Sequence, residues 1–194
     1  MFKSIKMFSA LTMVLALAGF AVGQAAPAKD APKSAPAPSA ELLSAWNDVG
    51  RRLVAMAEDF PEDKYDFKTT PAQRSFAENL LHVASDYCRE IGAIKGSPVG
   101  PAITLDKDFA RADYKTKADV VKLLKQAVAD GAAVIQNQGD AGLTHESKNP
   151  YDGSLQHVWV AWMGTMEHAG EHYGQLVVYY RVAGMVPPES RPKK

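Results

Sequence analysis

Hydrophobic residues recur at steps of three and four positions along four segments of the chain, which is the pattern of helices that bury one face. The segments cover residues 39–60, 71–94, 116–138 and 154–183. Connections containing proline and glycine separate them, and no alternating pattern of the kind that predicts strands competes with the helical one. The sequence therefore predicts an all-α protein that folds as a four-helix bundle.

Residues at the ends of these segments are typical of helix caps. Ser39 and Thr70 precede the first two segments, and Thr70 is followed by a proline in the favoured first helical position. Thr116 stands three residues before Asp119, which is the spacing of a capping box. Gly184 follows the fourth segment with two prolines just beyond it, so we expect the last helix to end there.

The residues before the first predicted helix have the composition of an export signal. Two lysines precede an almost wholly apolar run at 7–22, and small residues follow it. This order predicts a secretory signal peptide at residues 1–25, cleaved between Gly23 and Ala26. The alternative is an uncleaved membrane anchor, but the run is shorter than the roughly 20 residues that span a bilayer. We therefore expect a periplasmic or secreted protein.

The segment after the signal peptide, residues 26–38, is rich in alanine and proline and contains nothing that could fill a core. We interpret it as a linker. The remaining residues, 39–191, are predicted to form one domain with a core of ordinary size.

Charge and cysteine content exclude several classes of function. The chain has 22 basic and 22 acidic residues without a run of like charge, so it offers no basic face for nucleic acid or for an anionic membrane. We expect neither as a partner of the mature protein. Cys88 is the single cysteine, which excludes an intramolecular disulfide. It lies in the apolar pattern of the second predicted helix, so we expect a buried and unreactive thiol.

Two of the five histidines have the spacing of a helical metal site. His168 and His172 are four residues apart, so both project from one helix face and could reach the same ion. The large apolar residues of this helix share a roughly opposite face. They are Trp159, Trp162, Met163, Met166, Tyr173, Val177 and Tyr180. His82 lies away from the apolar stripe of its own helix in the same way, and periodicity alone favours plain exposure of all three histidines to solvent.

Three glycines in the fourth predicted helix argue against free exposure of this face. Gly164, Gly170 and Gly174 each cost on the order of 1 kcal/mol inside a helix, and they would permit close approach by another helix or a ligand. If the histidine face points into the bundle, the aromatic face needs another cover. A second copy of the helix would supply it, so we expect a homodimer.

The residues around these histidines resemble a known family. The stretch EHAGEHYGQLVVYYRVAGMVPPESR at 167–191, with NLLHVASD at 79–86, is similar to the DinB-like superfamily, also called YfiT-like. The resemblance extends over residues 39–191 and implies a four-helix bundle. It also implies a divalent metal ion (zinc, nickel, iron or manganese) held by one histidine of the second helix and two of the fourth. The matching positions are His82, His168 and His172. The pair Gly174–Gln175 is also typical of the family.

A metal held by three imidazoles keeps coordination positions open, as catalytic sites do and structural zinc sites do not. The family includes thiol-dependent transferases and isomerases as well as metal hydrolases. The resemblance therefore implies a metal-dependent hydrolase or transferase that acts on an unidentified small molecule. Export away from cytoplasmic thiols, and the lack of a basic cluster for an acidic thiol cofactor, argue against the transferase. The alternative is a non-catalytic metal- or ligand-binding bundle that acts in envelope stress.

Four further polar residues are candidates for supporting roles. Glu167 and Glu171 flank the histidine pair and would serve as a base or as hydrogen-bond partners of the histidines; plain surface charge is the other interpretation. His145 lies in a polar loop, where we expect it to be solvated. His157 opens the fourth predicted helix and is a candidate pocket residue.

Overall fold

The computed structural model describes residues 34–192. Four long helices form the fold. They are α1 Pro38–Asp59, α2 Phe76–Lys95, α3 Lys117–Leu143 and α4 Val158–Val182. α1 packs against α3, α2 lies between α3 and α4, and α4 also contacts α1, which closes the bundle. The predicted all-α four-helix bundle is confirmed.

The predicted leader falls largely outside the described residues. The signal peptide at 1–25 lies outside entirely, and only the last residues of the linker at 26–38 are described. Residues 34–37 have no regular secondary structure, and the compact unit of the bundle begins at Pro36. None of the helices within the described part of the chain is long and apolar enough to cross a membrane.

The first helix begins one residue earlier than the pattern predicts. Its cap is Ala37, which makes no side-chain hydrogen bond, and Pro38 occupies the first turn. Ser39, the predicted cap, lies inside the helix, and its backbone N–H donates to Asp140 Oδ1 at 2.7 Å. Proline sets this start because its fixed φ suits the first helical position, where no N–H is needed.

The start of α2 differs more from the prediction. We expected Thr70 to cap it, but the helix begins at Phe76 with Ser75 as the cap. Ser75 and Glu78 form a capping box, in which the Ser75 N–H donates to Glu78 Oε2 at 2.6 Å and the Glu78 N–H donates to Ser75 Oγ at 3.2 Å. Two reciprocal hydrogen bonds at Ser75 and Glu78 stabilise a helix start more than a single cap hydrogen bond at Thr70 would. The preceding residues instead form turns, including a 3₁₀ turn at Glu62–Lys64.

α3 begins as predicted and ends later. Thr116 and Asp119 form the expected capping box, with hydrogen bonds of 3.1 and 2.9 Å. Helical geometry is interrupted at Gly139, whose φ of 56° lies in the left-handed region, directly after the predicted end at Gln138. A further helical turn follows and ends at Leu143. Glycine adopts the backbone conformation of this kink at little cost because it has no Cβ.

A short β-hairpin stands between α3 and α4, where we predicted a polar loop and the start of the fourth helix. Strand β1, Glu146–Lys148, pairs antiparallel with strand β2, Leu155–His157. α4 consequently begins at Val158 and not at residue 154. Strands of three residues are too short to show an alternating pattern, so periodicity could not reveal them.

The core between α1 and α3 is built around Trp46. Its indole Nε1–H donates to the Val128 carbonyl at 2.8 Å, and its ring centroid lies 4.6 Å from that of Tyr87 and 5.1 Å from that of Trp162. Gly131 of α3 lies directly under the indole, and a methyl group at this position would overlap the ring. The helix-propensity cost of this glycine, about 1 kcal/mol, is offset by full burial of a large aromatic side chain.

α4 buries a different face from the one that the hydrophobic pattern of its sequence predicts. Trp162 and Tyr180 are buried, but Trp159 and Met163 of the same predicted stripe are 45% and 56% exposed. His172, which the sequence places opposite this stripe, is buried, and so are Thr165 and Tyr179 on the same side of the helix. Plain exposure is therefore wrong for His172, because α4 packs this face against polar residues of α2, and an apolar moment does not detect such a face.

Candidate metal centre

His82 of α2 and His168 and His172 of α4 meet where the two helices face each other. His168 lies between the other two: its Nε2 is 3.2 Å from His82 Nε2 and 3.1 Å from His172 Nε2. The three candidate ligand nitrogens all lie within 4.8 Å of one another. The structure thus brings together the three histidines that the sequence singled out, and they form a group that could hold a metal ion.

Each of the three imidazoles is held at Nδ1 by an oxygen atom. His82 Nδ1 lies 2.7 Å from Asp108 Oδ2, and His168 Nδ1 lies 3.0 Å from Asp86 Oδ2. The partner of His172 Nδ1 is Asn79 Oδ1 at 3.2 Å. Asn79 is oriented because its amide NH2 donates to the Ser75 carbonyl and to the Tyr179 hydroxyl, both at 3.1 Å.

These partners decide which ring nitrogen carries the proton. Carboxylate and amide oxygens only accept hydrogen bonds, so in a neutral ring Nδ1 is the protonated donor and Nε2 keeps its lone pair. When all three rings are neutral, the three lone pairs converge and repel one another unless a cation lies among them. Nitrogens about 2.0–2.1 Å from a zinc ion lie about 3.4 Å apart, which is close to the two Nε2–Nε2 distances of 3.1 and 3.2 Å. The donor set therefore fits a divalent metal.

The electrostatic setting keeps two of the three rings neutral near pH 7. Burial, followed by the charges of the other two histidines, lowers the pKa of His172 to about 4. Burial also lowers the pKa of His82, although Asp108 opposes this shift. The hydrogen bond to Asp86 raises the pKa of His168. Metal ligation requires neutral imidazoles, so the lowered pKa values of His82 and His172 favour ligation, whereas the raised pKa of His168 opposes it.

The aspartate that holds His82 comes from the long connection between α2 and α3. Asp108 also accepts hydrogen bonds from Arg89, whose guanidinium in addition donates to the Thr104 and Lys107 carbonyls at 2.9 and 2.6 Å. The connection is thereby fixed against α2, and Asp108 is fixed against His82.

A cavity of about 620 Å³ opens beside the histidine group. Its walls come from α2, α4, the 97–115 connection and the hairpin, so it exists only because these four parts of the chain meet. His82 and His168 lie in its wall together with Asp86, Glu90 and Tyr151. The Tyr151 hydroxyl, at the tip of the hairpin, donates to Asp86 Oδ1 and joins the hairpin to the carboxylate that orients His168.

Comparison with known proteins places this arrangement in a family. The sequence profile of the DinB superfamily matches residues 45–176, which includes all three histidines, the whole of α2 and most of α4. The chain belongs to the DinB superfamily. A solved DinB-like protein from Bacillus subtilis, YjoA, has the same fold, with a TM-score of 0.60 and 20% identity over 79% of this chain and 99% of that one. The comparison with curated proteins gave no match.

Several other predicted residues of this DinB superfamily member lie apart from the group. His145 and His157 are exposed at the hairpin, and His157 Nδ1 contacts the Thr144 carbonyl at 3.1 Å. Glu167 and Glu171 are exposed on α4 and do not line the cavity, which fits the surface-charge interpretation. Cys88 is buried as expected, and burial raises the pKa of its thiol to about 11, so it stays protonated and unreactive.

The glycines of α4 do not receive another helix of the bundle. Within the described part of the chain, no atom lies within 4 Å of a Cβ placed at Gly164, Gly170 or Gly174. The inference that they permit close packing inside the chain is therefore wrong, although Gly164 does line the cavity.

Sequence reasoning missed the residues that orient the histidines. Asp86 had a detectable signal, because it lies four residues after His82 on the same face of α2. Asn79 lies three residues before His82, so the same spacing could have identified it. The sequence gives no such signal for Asp108, because it lies in an irregular connection whose path only the folded structure shows.

Proposed function

We propose that this protein is an exported metal-dependent enzyme, a hydrolase or a transferase, whose centre is the three-histidine group. The observation that carries the proposal is the convergence of three Nε2 atoms at the wall of an open cavity, each ring being held at Nδ1 by an oxygen. An orienting oxygen behind each imidazole is the usual construction of a protein metal site.

The number of candidate ligands favours catalysis. The group contains three histidines, whereas structural zinc sites are normally closed by four protein ligands. A divalent metal with open positions lowers the pKa of a bound water or thiol and polarises a carbonyl. The cavity beside His168 gives a small organic substrate access to this position.

The chain's own residues prepare the site for such chemistry. Asp108, Asp86 and Asn79 hold His82, His168 and His172 so that their lone pairs point to one place. This arrangement needs no side-chain reorganisation when an ion or a substrate arrives, which is how preorganised sites accelerate reactions.

Hydrolysis fits the cavity better than transfer to an acidic thiol cofactor. The two arginines of the cavity wall, Arg74 and Arg89, both donate to Asp108, at 3.4 and 3.2 Å. Arg89 is buried and engaged through all three of its nitrogens, which leaves the half-exposed Arg74 as the one cation of the described wall that could pair with a ligand carboxylate. The open cavity also favours an enzyme over the non-catalytic metal- or ligand-binding bundle, for which a sealed site would be expected.

Export is the second part of the proposal. It is supported by the order of lysines, apolar run and small residues at the start of the chain. Mass spectrometry of an envelope fraction should find a mature chain that begins between Gln24 and Pro27. An intact Met1 on cytoplasmic protein would contradict it.

The catalytic part is tested by metal analysis followed by an activity screen. Purified protein should bind about one equivalent of divalent metal per chain, and the loaded protein should hydrolyse members of an ester and amide panel or transfer a thiol. His172→Ala should lose both properties, whereas His145→Ala should keep them. Metal binding without any activity across the panel would favour the non-catalytic bundle.

A further inference from the structure

Glu90 is a buried residue of the cavity wall, and its carboxylate lacks a complete set of hydrogen-bond partners within the described protein. Its side chain is on α2, and the residue is 8% exposed. Its Oε2 has no hydrogen-bond partner among the described residues, and the residue lines the cavity beside the histidine group. A buried polar atom of this kind is rare, because leaving it unsatisfied costs free energy.

The surroundings of Glu90 make its ionised form costly. Burial, followed by the negative charge of Asp86, raises the pKa of Glu90 to about 7. A cation placed beside the carboxylate would remove both the desolvation cost and the missing hydrogen bond. Such groups concentrate at functional sites.

The other buried charges of the cavity wall are already paired. Arg89 donates to Asp108 and to two backbone carbonyls, and Asp86 accepts from His168 and from the Tyr151 hydroxyl. Glu90 is therefore the buried charged group of the described wall that remains for a ligand. An anionic ligand at this end would meet repulsion from the Glu90 and Asp86 carboxylates.

The position of Glu90 separates it from the histidine group by a defined length. His82, Asp86 and Glu90 follow one another at four-residue steps, so they lie on one face of α2 over about 12 Å of helix axis. Across the cavity, α4 presents Val160 and Ala161. The cavity thus has a candidate metal at one end and an unpaired carboxylate at the other, with Asp86 between them on α2 and the apolar residues Val160 and Ala161 on the facing helix.

We propose that Glu90 binds the ammonium group of a small organic amine whose other end carries the carbonyl group presented to the three histidines, an assignment that rests on the metal-dependent function proposed above. Glu90 then acts as a specificity-determining residue, because it selects substrates with a cationic end at a set distance from the reacting end. It does not act on the reacting atoms.

The test uses straight-chain alkyl hydroxamates as probes, since the hydroxamate group binds the open positions of zinc. A series of increasing length that ends in an ammonium group is compared with matched series that end in a methyl or a hydroxyl group. Binding to the zinc-loaded protein is measured by calorimetry. At the best length, the ammonium probe should bind at least about tenfold more tightly than its methyl counterpart, because it pairs with a desolvated carboxylate.

Glu90→Gln should abolish this preference without weakening zinc binding, since the amide keeps the shape of the side chain and removes its charge. Glu171→Gln, an exposed carboxylate of α4 that does not line the cavity, is the matched control and should keep the preference. An equal affinity for ammonium and methyl probes, a hydroxyl probe as tight as the ammonium one, or a preference that persists in Glu90→Gln would each overturn the assignment.

The two proposals fail in distinguishable ways. If all hydroxamates bind alike, the metal centre with an open position stands and only the role of Glu90 fails. If the protein binds no zinc, or the zinc-loaded protein binds no hydroxamate, the metal-dependent function fails and the role of Glu90 fails with it.

Discussion

The α1–α3 side of the bundle and the α2–α4 side bury different kinds of residue. α1 and α3 bury apolar side chains and glycines, as at Trp46 and Gly131. The buried polar and charged residues of the described chain all belong to α2 with its cap, to α4 or to β1. They are Ser75, Asn79, Ser85, Asp86, Arg89, Glu90, Ser147, Thr165 and His172. Apolar burial stabilises a fold, whereas buried polar groups cost free energy unless they are paired. Apolar burial stabilises both sides of this bundle, but the α2–α4 side alone also buries the polar groups that form the site.

His168→Ala should have the largest effect on the α2–α4 side. His168 Nε2 contacts both other Nε2 atoms, so its removal should lower metal affinity by more than about 100-fold, beyond the loss expected for an orienting residue. Competition with a chelator measures the affinity, and His145→Ala is the control. Metal binding to the wild type should weaken as the pH falls and the imidazoles become protonated. Affinity that survives in His168→Ala would contradict the assignment of this residue.

Asp108→Asn should lower metal affinity by about 10–100-fold, because the amide holds His82 Nδ1 less firmly and in a less defined orientation than the carboxylate. Asp106→Asn provides a matched control, since Asp106 belongs to the same connection and the same cavity but does not contact His82. Equal losses in both variants would mean that charge in the cavity matters and the hydrogen bond to His82 does not.

Gly131→Ala should destabilise the α1–α3 side by about 1–3 kcal/mol, since the added methyl overlaps the Trp46 indole. The identical substitution at Gly170, an exposed position in α4 with open space beside it, should instead stabilise the protein by about 1 kcal/mol through helix propensity. Chemical denaturation measures both, and metal affinity should change in neither. Effects of the same sign would show that the two helices do not differ in the way described.

Glu90→Gln should change how the stability of metal-free protein depends on pH. The pKa of Glu90 is raised from 4.5 to about 7, so the folded protein binds this proton more tightly than the unfolded chain does. Wild-type stability should consequently fall as the pH rises from about 4.5 to about 7, by about 1–2 kcal/mol after allowance for partial hydration of the site. Asp86, His168 and Tyr151 also face this group and are present in both proteins, so the difference between the two denaturation curves isolates Glu90.

The homodimer stays a prediction. The exposed apolar surface of α4 that would form the dimer contact is smaller than the sequence suggested. Trp162 and Tyr180 are buried inside the chain, which leaves Trp159 and Met163 as the well-exposed members of the stripe. Light scattering should find twice the monomer mass for the wild type, and Trp159→Lys should shift it toward the monomer without changing metal affinity. A wild type that is monomeric at all concentrations would remove the prediction.

The three histidines could be predicted because residues four positions apart in a helix project from the same face. Four residues separate His168 from His172, and the family resemblance added His82 on a second helix. The buried face of α4 could not be predicted in the same way, because it packs against polar residues of α2 and is held there by hydrogen bonds. A wheel that scores hydrophobicity places Thr165 and His172 in solvent, whereas the structure buries both.

The remaining parts of the site depend on contacts distant in sequence. Asp108 follows His82 by 26 residues through an irregular connection, and Tyr151 reaches Asp86 across 65 residues by way of a hairpin too short to detect. Glu90 carried no signal, since a glutamate in a helix is ordinarily a surface residue. Its unusual property is the lack of a partner, which is a property of the folded protein.

The division between helices and connection also has an evolutionary consequence. The three histidines lie on rigid helices, but Asp108 and part of the cavity wall belong to the 97–115 connection. Loops accept insertions, deletions and sequence drift far more readily than packed helices do. A lineage can therefore alter this part of the cavity wall by changing the connection, provided that one carboxylate stays in register with His82. The shape of the cavity and the three-histidine group can diverge at different rates in such a protein.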